Sequence, residues 1–200
     1  GGIRQDGPGI AVVPGDLAKA ALAKGDVVLL QLEIPLETVK AALGAAREAG
    51  AVTVLNAAPF HTEAVPLLAN ADYVVCNESE FDLCADALSL PSGDRPTRMR
   101  AFAEKTGRTV IVTLGSDGVV AGSANGLLEM PAMPVTPVDT VGAGDTFCGY
   151  LAAGLSEGLS LEDALRRAAA AGSLACLKPG AQPSIPLRAE VDAALAGRAS

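Results

Sequence analysis

The chain predicts an α/β protein in which a mostly parallel sheet is covered by helices and bordered by an antiparallel hairpin. Three observations carry that expectation. Short, nearly continuous apolar runs alternate four times with segments of helical spacing, the pattern of strands buried on both faces and joined by crossover helices. Asn125-Gly126 then separates two further extended runs, a strong hairpin signal. Beyond them, Gly142-Ala-Gly-Asp145 sits where an extended stretch after Pro137 gives way to a helix-forming run over 147–155.

The elements follow in order. Residues 26–32, Asp-Val-Val-Leu-Leu-Gln-Leu, read as the first strand. Residues 36–49 have helical spacing and stop at Gly50, a residue that ends helices by adopting positive φ. Residues 52–55 form the second strand, 62–69 a helix, 73–76 the third strand and 78–85 a short helix. A loop over 90–94 leads to a helix over 97–105 closed by Gly107, and 109–114 is the fourth strand. Residues 118–122 and 127–130 flank the Asn-Gly turn. Ser160-Leu-Glu-Asp163 is a capping box that opens an Ala-rich helix to about residue 177. Pro179 and Gly180 end it, and a final helix begins at Pro186. Residues 10–13 read as a strand separated from its neighbours, so residues 1–13 are expected to be the edge of a truncated N-terminus.

Composition narrows the function classes. The 200 residues fit one domain, or one with a fragment of another, and half of them are apolar. Fifteen Lys and Arg against 23 Asp and Glu give a formal charge of −8, which argues against nucleic acid or an anionic membrane surface as partner. The four cysteines (Cys76, Cys84, Cys148, Cys176) show no paired spacing and read as free thiols of a reducing compartment. His61 is the sole histidine, which disfavours a zinc site or a Ser-His-Asp triad. With no signal-peptide pattern and no long apolar run, a cytoplasmic location is expected.

Candidate site residues fall at strand ends. In open parallel sheets, ligands bind outside the carboxyl ends of the strands. Glu33 follows the first strand, Asn56 the second, Asn77 the third, and Thr113-Leu-Gly-Ser116 the fourth. Asn56 is equally a turn residue or helix cap, and Asn77 with Glu80 is equally a capping box. The Gly142-Ala-Gly-Asp145 turn can present successive N–H groups, reinforced by the helix dipole, to an anion. Asp145 places a carboxylate inside that anion pocket, where a passive phosphate site would avoid one. That combination points to catalysis at a phosphate with Asp145 as base. Neither a Walker A ending nor a dinucleotide fingerprint is present.

Asp139-Thr-Val-Gly-Ala-Gly-Asp-Thr-Phe147 and Asn77-Glu-Ser-Glu80 resemble the second signature and the Asn-x-x-Glu motif of PfkB-type carbohydrate and nucleoside kinases. Gln31-Leu-Glu33 and Gly180-Ala-Gln-Pro-Ser-Ile-Pro186 resemble the ribokinase branch in particular. The resemblance implies a three-layer α/β/α sandwich, with residues 1–200 as the C-terminal two-thirds of one kinase domain. It implies phosphorylation of D-ribose by ATP, with Asp145 as base and the N–H groups of Gly142, Ala143 and Gly144 as anion hole. Glu33 would contact the sugar. Asn77, Thr113, Leu114, Gly115, Ser116, Asp117, Gly118, Gly144, Asp145 and Ala169 would bind ATP, with the contact at Ala169 apolar or supplied by backbone. Glu80 would serve magnesium. Asp139, Val141, Ala175, Lys178, Gly180 and Ser184 would hold potassium, mostly through carbonyls. The family's first signature, which grips the sugar, and its β-sheet lid, which forms a dimer interface, are not in this sequence. The resemblance therefore implies a homodimer for the full-length protein. Its alternatives are another sugar, sugar-acid or nucleoside kinase of the family, or a nucleotide-binding fragment without turnover.

Overall fold

The computed structural model describes residues 14–17 and 21–197, so the strand expected at 10–13 lies outside the described residues. After the short α1 (Pro14–Leu17) come β1 (Val27–Gln31), α2 (Leu36–Ala49) and β2 (Val52–Asn56). A 3₁₀ turn, Thr62–Ala64, leads into α3 (Val65–Leu68), followed by β3 (Tyr73–Asn77), α4 (Glu78–Ala87), α5 (Arg95–Thr106) and β4 (Thr109–Thr113). A second 3₁₀ turn, Gly115–Asp117, precedes β5 (Val119–Ser123) and β6 (Gly126–Met130). Three helices complete the chain: α6 (Ala143–Ser156), α7 (Leu161–Ala175) and α8 (Arg188–Ala196).

The strands form one sheet in sequence order from β1 to β6. β1 pairs with β2 in parallel, with Gln31 opposite Asn56, and β2 pairs in parallel with β3, with Asn56 opposite Val75. Between β5 and β6 only Ala124 and Asn125 intervene, a connection that only antiparallel neighbours allow. The α/β class expected from the alternation is the one observed.

Local chemistry sets the element boundaries. Gly50 and Gly107 end α2 and α5 with φ of 70° and 69°. The helix expected from Thr97 begins at Arg95, because Asp94 caps it by accepting the Thr97 N–H at 2.9 Å. The helix expected over 62–69 is instead a 3₁₀ turn and a single α-turn, with Pro66 at its start. The helix expected to run to residue 177 stops at Ala175, and the last helix begins at Arg188 after an extended Leu187.

The described residues divide into two compact units, one of those up to 111 together with 122–126, the other of 112–121 together with those from 127 onward. In the first, Val54 and Leu55 of β2, Val74 of β3, Leu43 of α2 and Phe102 of α5 are fully buried, each contributing about 1.5–3 kcal/mol of transfer free energy. Asp72 ties this unit together at the start of its strands. It accepts the Thr53 N–H (2.9 Å) and hydroxyl (2.8 Å) through Oδ2, and Arg108 at 2.9 Å through Oδ1. In the second unit α6 lies close along α7: a Cβ added at Gly154 would stand 3.1 Å from the Ala164 Cβ. Leu151, Leu165 and Ala171 are fully buried there.

Candidate active site

In the first unit, polar residues collect where the parallel strands end. The β1–β2 register sets Gln31 opposite Asn56, so Glu33, exposed in the turn after β1, and Asn56, buried at the end of β2, belong to the same sheet edge. Asn56 caps no helix: the next helical turn is preceded by His61. Asn77 ends β3 and caps α4 in a reciprocal capping box. Its side chain accepts the Glu80 N–H at 2.8 Å, and Glu80 Oε2 accepts the Asn77 N–H at 2.9 Å. This places Glu80 in the first turn of a helix, where an acid is favoured by the dipole, with one carboxylate oxygen assigned to the cap.

The turn from Asp139 to Asp145 belongs to the second unit. Gly142 caps α6 with φ 78°, and a Cβ there would stand 2.9 Å from Ala181, so only glycine fits. Helix α6 starts at Ala143, and Asp145 lies exposed in its first turn. Of the three expected anion-hole donors, the Ala143 N–H makes a long 3.3 Å bond to the Thr140 carbonyl. Asp139 holds the turn to the chain that follows α7. Its Oδ2 accepts the Gly180 N–H at 2.8 Å and its Oδ1 the Val141 N–H at 3.0 Å. These bonds, that from Gly180 first, hold its carboxyl below the usual carboxylate range. The Cys176 carbonyl accepts from both Val138 and Asp139, at 2.8 and 3.2 Å. Ser184 is fully buried and donates to the Ala181 carbonyl at 2.7 Å. Asp139 thus ties its own turn to Gly180 and to the end of α7, while Ser184 is held within the following turn.

Beside this turn lies a cavity of about 440 Å³ that belongs wholly to the second unit. Thr113, Gly115, Ser116 and Gly118 form one wall, Ala143, Gly144 and Phe147 a second, and Ala169 part of a third. Six of the ten residues expected to bind ATP therefore line a single space. Leu114 and Asp117 are not among its lining residues; they hold the 115–118 turn through backbone bonds, Leu114 to Gly118 at 2.8 Å and Asp117 to Leu114 at 3.1 Å. Asn77 lies in the other unit.

Sequence reasoning did not assign a site role to the rest of the lining: Val119 of β5, Ala132, Met133, Pro134, Val135 and Pro137 after β6, Thr140, and Gly172, Ser173 and Cys176. A signal for the latter existed. With Ala169 they recur at spacings of three, four and seven, one face of a helix. The extended stretch after β6 offered only its prolines. Among the described residues, no group of three or more His, Cys, Asp or Glu side chains is placed to hold a metal ion. No described helix is long and apolar enough to cross a membrane.

Residues 15–188 match the model of the pfkB family of carbohydrate kinases. Ribokinase of Lactococcus lactis is 36% identical over 174 residues, covering 87% of this chain and 55% of the relative. Ribokinase of Staphylococcus aureus is 34% identical over 189 residues, covering 93% of this chain and 62% of the relative. The crystal structure of Thermotoga maritima ribokinase superposes with a TM-score of 0.76 at 34% identity, over 92% of this chain and 60% of that one. Arabidopsis thaliana ribokinase, complexed with ribose and ATP, gives a TM-score of 0.70 at 34% identity, over 84% of this chain and 55% of that one. The α/β fold is thus shared with these two ribokinase structures. The chain belongs to the pfkB family of carbohydrate kinases, and spans a little over half the length of these relatives.

Proposed function

We propose that this chain carries the nucleotide and phosphoryl-transfer half of a ribokinase, which uses ATP to phosphorylate D-ribose at its primary hydroxyl. The observation that carries the reading is the exposed Asp145 in the first turn of α6, beside a cavity that Gly144 itself lines. A site that only binds nucleotide has no need of that carboxylate. The relatives compared at 34–36% identity are ribokinases, and one of them is complexed with ribose and ATP.

In this reading the cavity holds the nucleotide and the start of α6 receives its terminal phosphate. The first N–H groups of a helix have no acceptor within the helix and sit at the positive end of its dipole. They favour the charge that develops as the phosphoryl group moves. Gly144 faces the cavity directly; the Ala143 N–H exchanges its long bond to Thr140 for the phosphate. Asp145 takes the proton from the sugar hydroxyl, and Glu33 orients the sugar. Magnesium supplies charge neutralisation on the phosphates. Its protein share is small, one or two carboxylates with the remainder from phosphate and water, and the second oxygen of Glu80 fits that need. Potassium fits the carbonyl-rich loops that Asp139 stitches together, with the buried Ser184 hydroxyl in the turn that follows. There it would fix the orientation of the Gly142 turn. The full-length protein is proposed to act as a homodimer in the cytoplasm.

The test is Asp145→Asn in the protein at the full length of its relatives, assayed for ADP and ribose 5-phosphate. Loss of a general base costs about 10²–10⁴ in rate, while ATP affinity should stay within about twofold. Turnover close to that of the unsubstituted protein would sink the base assignment.

A further inference from the structure

We propose that the cavity of the second unit selects its nucleotide by ring size and apolar contact, and so separates ATP from GTP by no more than about 100-fold. The proposal rests on the reading of that cavity as the nucleotide site, and extends it to the class of base. Adenine and guanine differ at their polar edge: adenine presents an amino donor where guanine presents a carbonyl acceptor. Telling them apart takes a group of fixed polarity facing that edge.

Among the described residues, the cavity lining holds no Asn, Gln, Asp, Glu, Lys or Arg side chain. Its polar side chains are the hydroxyls of Thr113, Ser116, Thr140 and Ser173 and the thiol of Cys176. A hydroxyl donates or accepts by rotating, so it fits either base. Ser173 is already committed: its oxygen accepts the Met133 N–H at 3.1 Å and its hydrogen goes to the Ala169 carbonyl at 2.9 Å. That bond also occupies the Met133 N–H. Along the same wall Pro134 and Pro137 have no N–H to offer. Met133, Val135, Ala169 and Phe147 leave a largely apolar space of about 440 Å³. Apolar pockets separate near-isosteres that differ in a polar group by only about 100-fold, whereas sites built to hydrogen-bond reject the wrong one by about 10⁴–10⁵-fold. Shape still acts on size, since a pyrimidine covers less of the apolar wall.

The experiment is titration calorimetry of the 200-residue chain with the magnesium complexes of ATP, GTP and CTP. The expected result is Kd values for ATP and GTP within about 100-fold of each other, with CTP weaker than both. An ATP-to-GTP ratio beyond about 100-fold in either direction, or CTP binding as tightly as the purines, overturns the inference and leaves the kinase reading standing. Failure of all three to bind overturns the kinase reading itself. A second variant fixes the location. Ala169→Leu, its fold checked by circular dichroism, should weaken ATP and GTP by the same factor, at least about tenfold for an overfilled pocket. Unchanged affinity would mean that the base lies elsewhere. If that variant does not fold, the three-nucleotide comparison still decides.

Discussion

Gly118 and Gly142 show how single residues set the site. Gly118 has φ 99° and ψ −130°, a region closed to side chains, and a Cβ there would lie 2.1 Å from the Met130 carbonyl oxygen. The glycine lets the turn after β4 press against the chain leaving β6, and so brings two walls of the cavity together. Gly118→Ala is expected to cost at least about 1–3 kcal/mol from backbone strain alone, with more from the clash. A lowered urea midpoint and weaker nucleotide binding would appear together; wild-type values for both would show that the 130–132 segment yields freely. Cys84 illustrates a residue that is sequence-conspicuous and chemically silent. Burial pushes its thiol up to about 12, despite the opposing Arg98 charge, so almost no thiolate exists at neutral pH. Iodoacetamide should leave Cys84 unlabelled in the native protein and modify it only in denaturant, as read by mass spectrometry. Rapid native labelling would contradict its burial.

At the scale of elements, helix starts were legible where the capping side chain was read, at Asn77 and Ser160, and displaced by two to four residues elsewhere, at Arg95, Ala143 and Arg188. Ser160 caps α7 by accepting the Asp163 N–H at 3.1 Å, but only this half of the expected capping box forms, because the Asp163 carboxylate accepts the Ser160 hydroxyl at 2.7 Å. Asn77 and Glu80 show both bonds of the capping box. Ser160→Ala is expected to cost about 0.5–2 kcal/mol without changing nucleotide affinity. Asp94 gives a pH-dependent version of the same device. Its hydrogen bonds with Thr97 lower its carboxyl below the usual value. Its contribution is therefore fully present above the unfolded value of about 3.9 and is lost as pH falls through the lower folded value. Asp94→Asn keeps a capping oxygen but not the titration, so its stability should fall less steeply than wild type below about pH 4. Urea midpoints across that range check this, and parallel slopes would assign the acid dependence to other groups. Short elements were less legible. The apolar spacing over 62–69 implies one helix, but Pro66 and the close following turn leave a 3₁₀ turn and a single α-turn.

At the scale of the whole molecule, the second unit holds the cavity, the Gly142 turn and the network around Asp139, so nucleotide binding should stabilise it directly. At a hundred times Kd a ligand adds about 2.7 kcal/mol, and magnesium-ATP should raise the melting temperature accordingly. Potassium in place of sodium should enlarge that rise if the loops around Ser184 take a monovalent cation; an identical rise in both salts would count against that site. The alternation of apolar runs, the Asn-Gly turn and the glycines around Asp145 determined by themselves the α/β class, the hairpin and the presence of α6, which begins at Ala143 and not at the expected Phe147. Each depends on neighbours a few residues apart, and so is written in local spacing and backbone freedom. Only the tertiary structure decided which residues enclose the cavity. Met133, Val135, Ser173 and Cys176 carry no motif, and come together because chain leaving β6 lies beside one face of α7. That approach is fixed by long-range packing and by the room Gly118 leaves beside Met130, which no local pattern records.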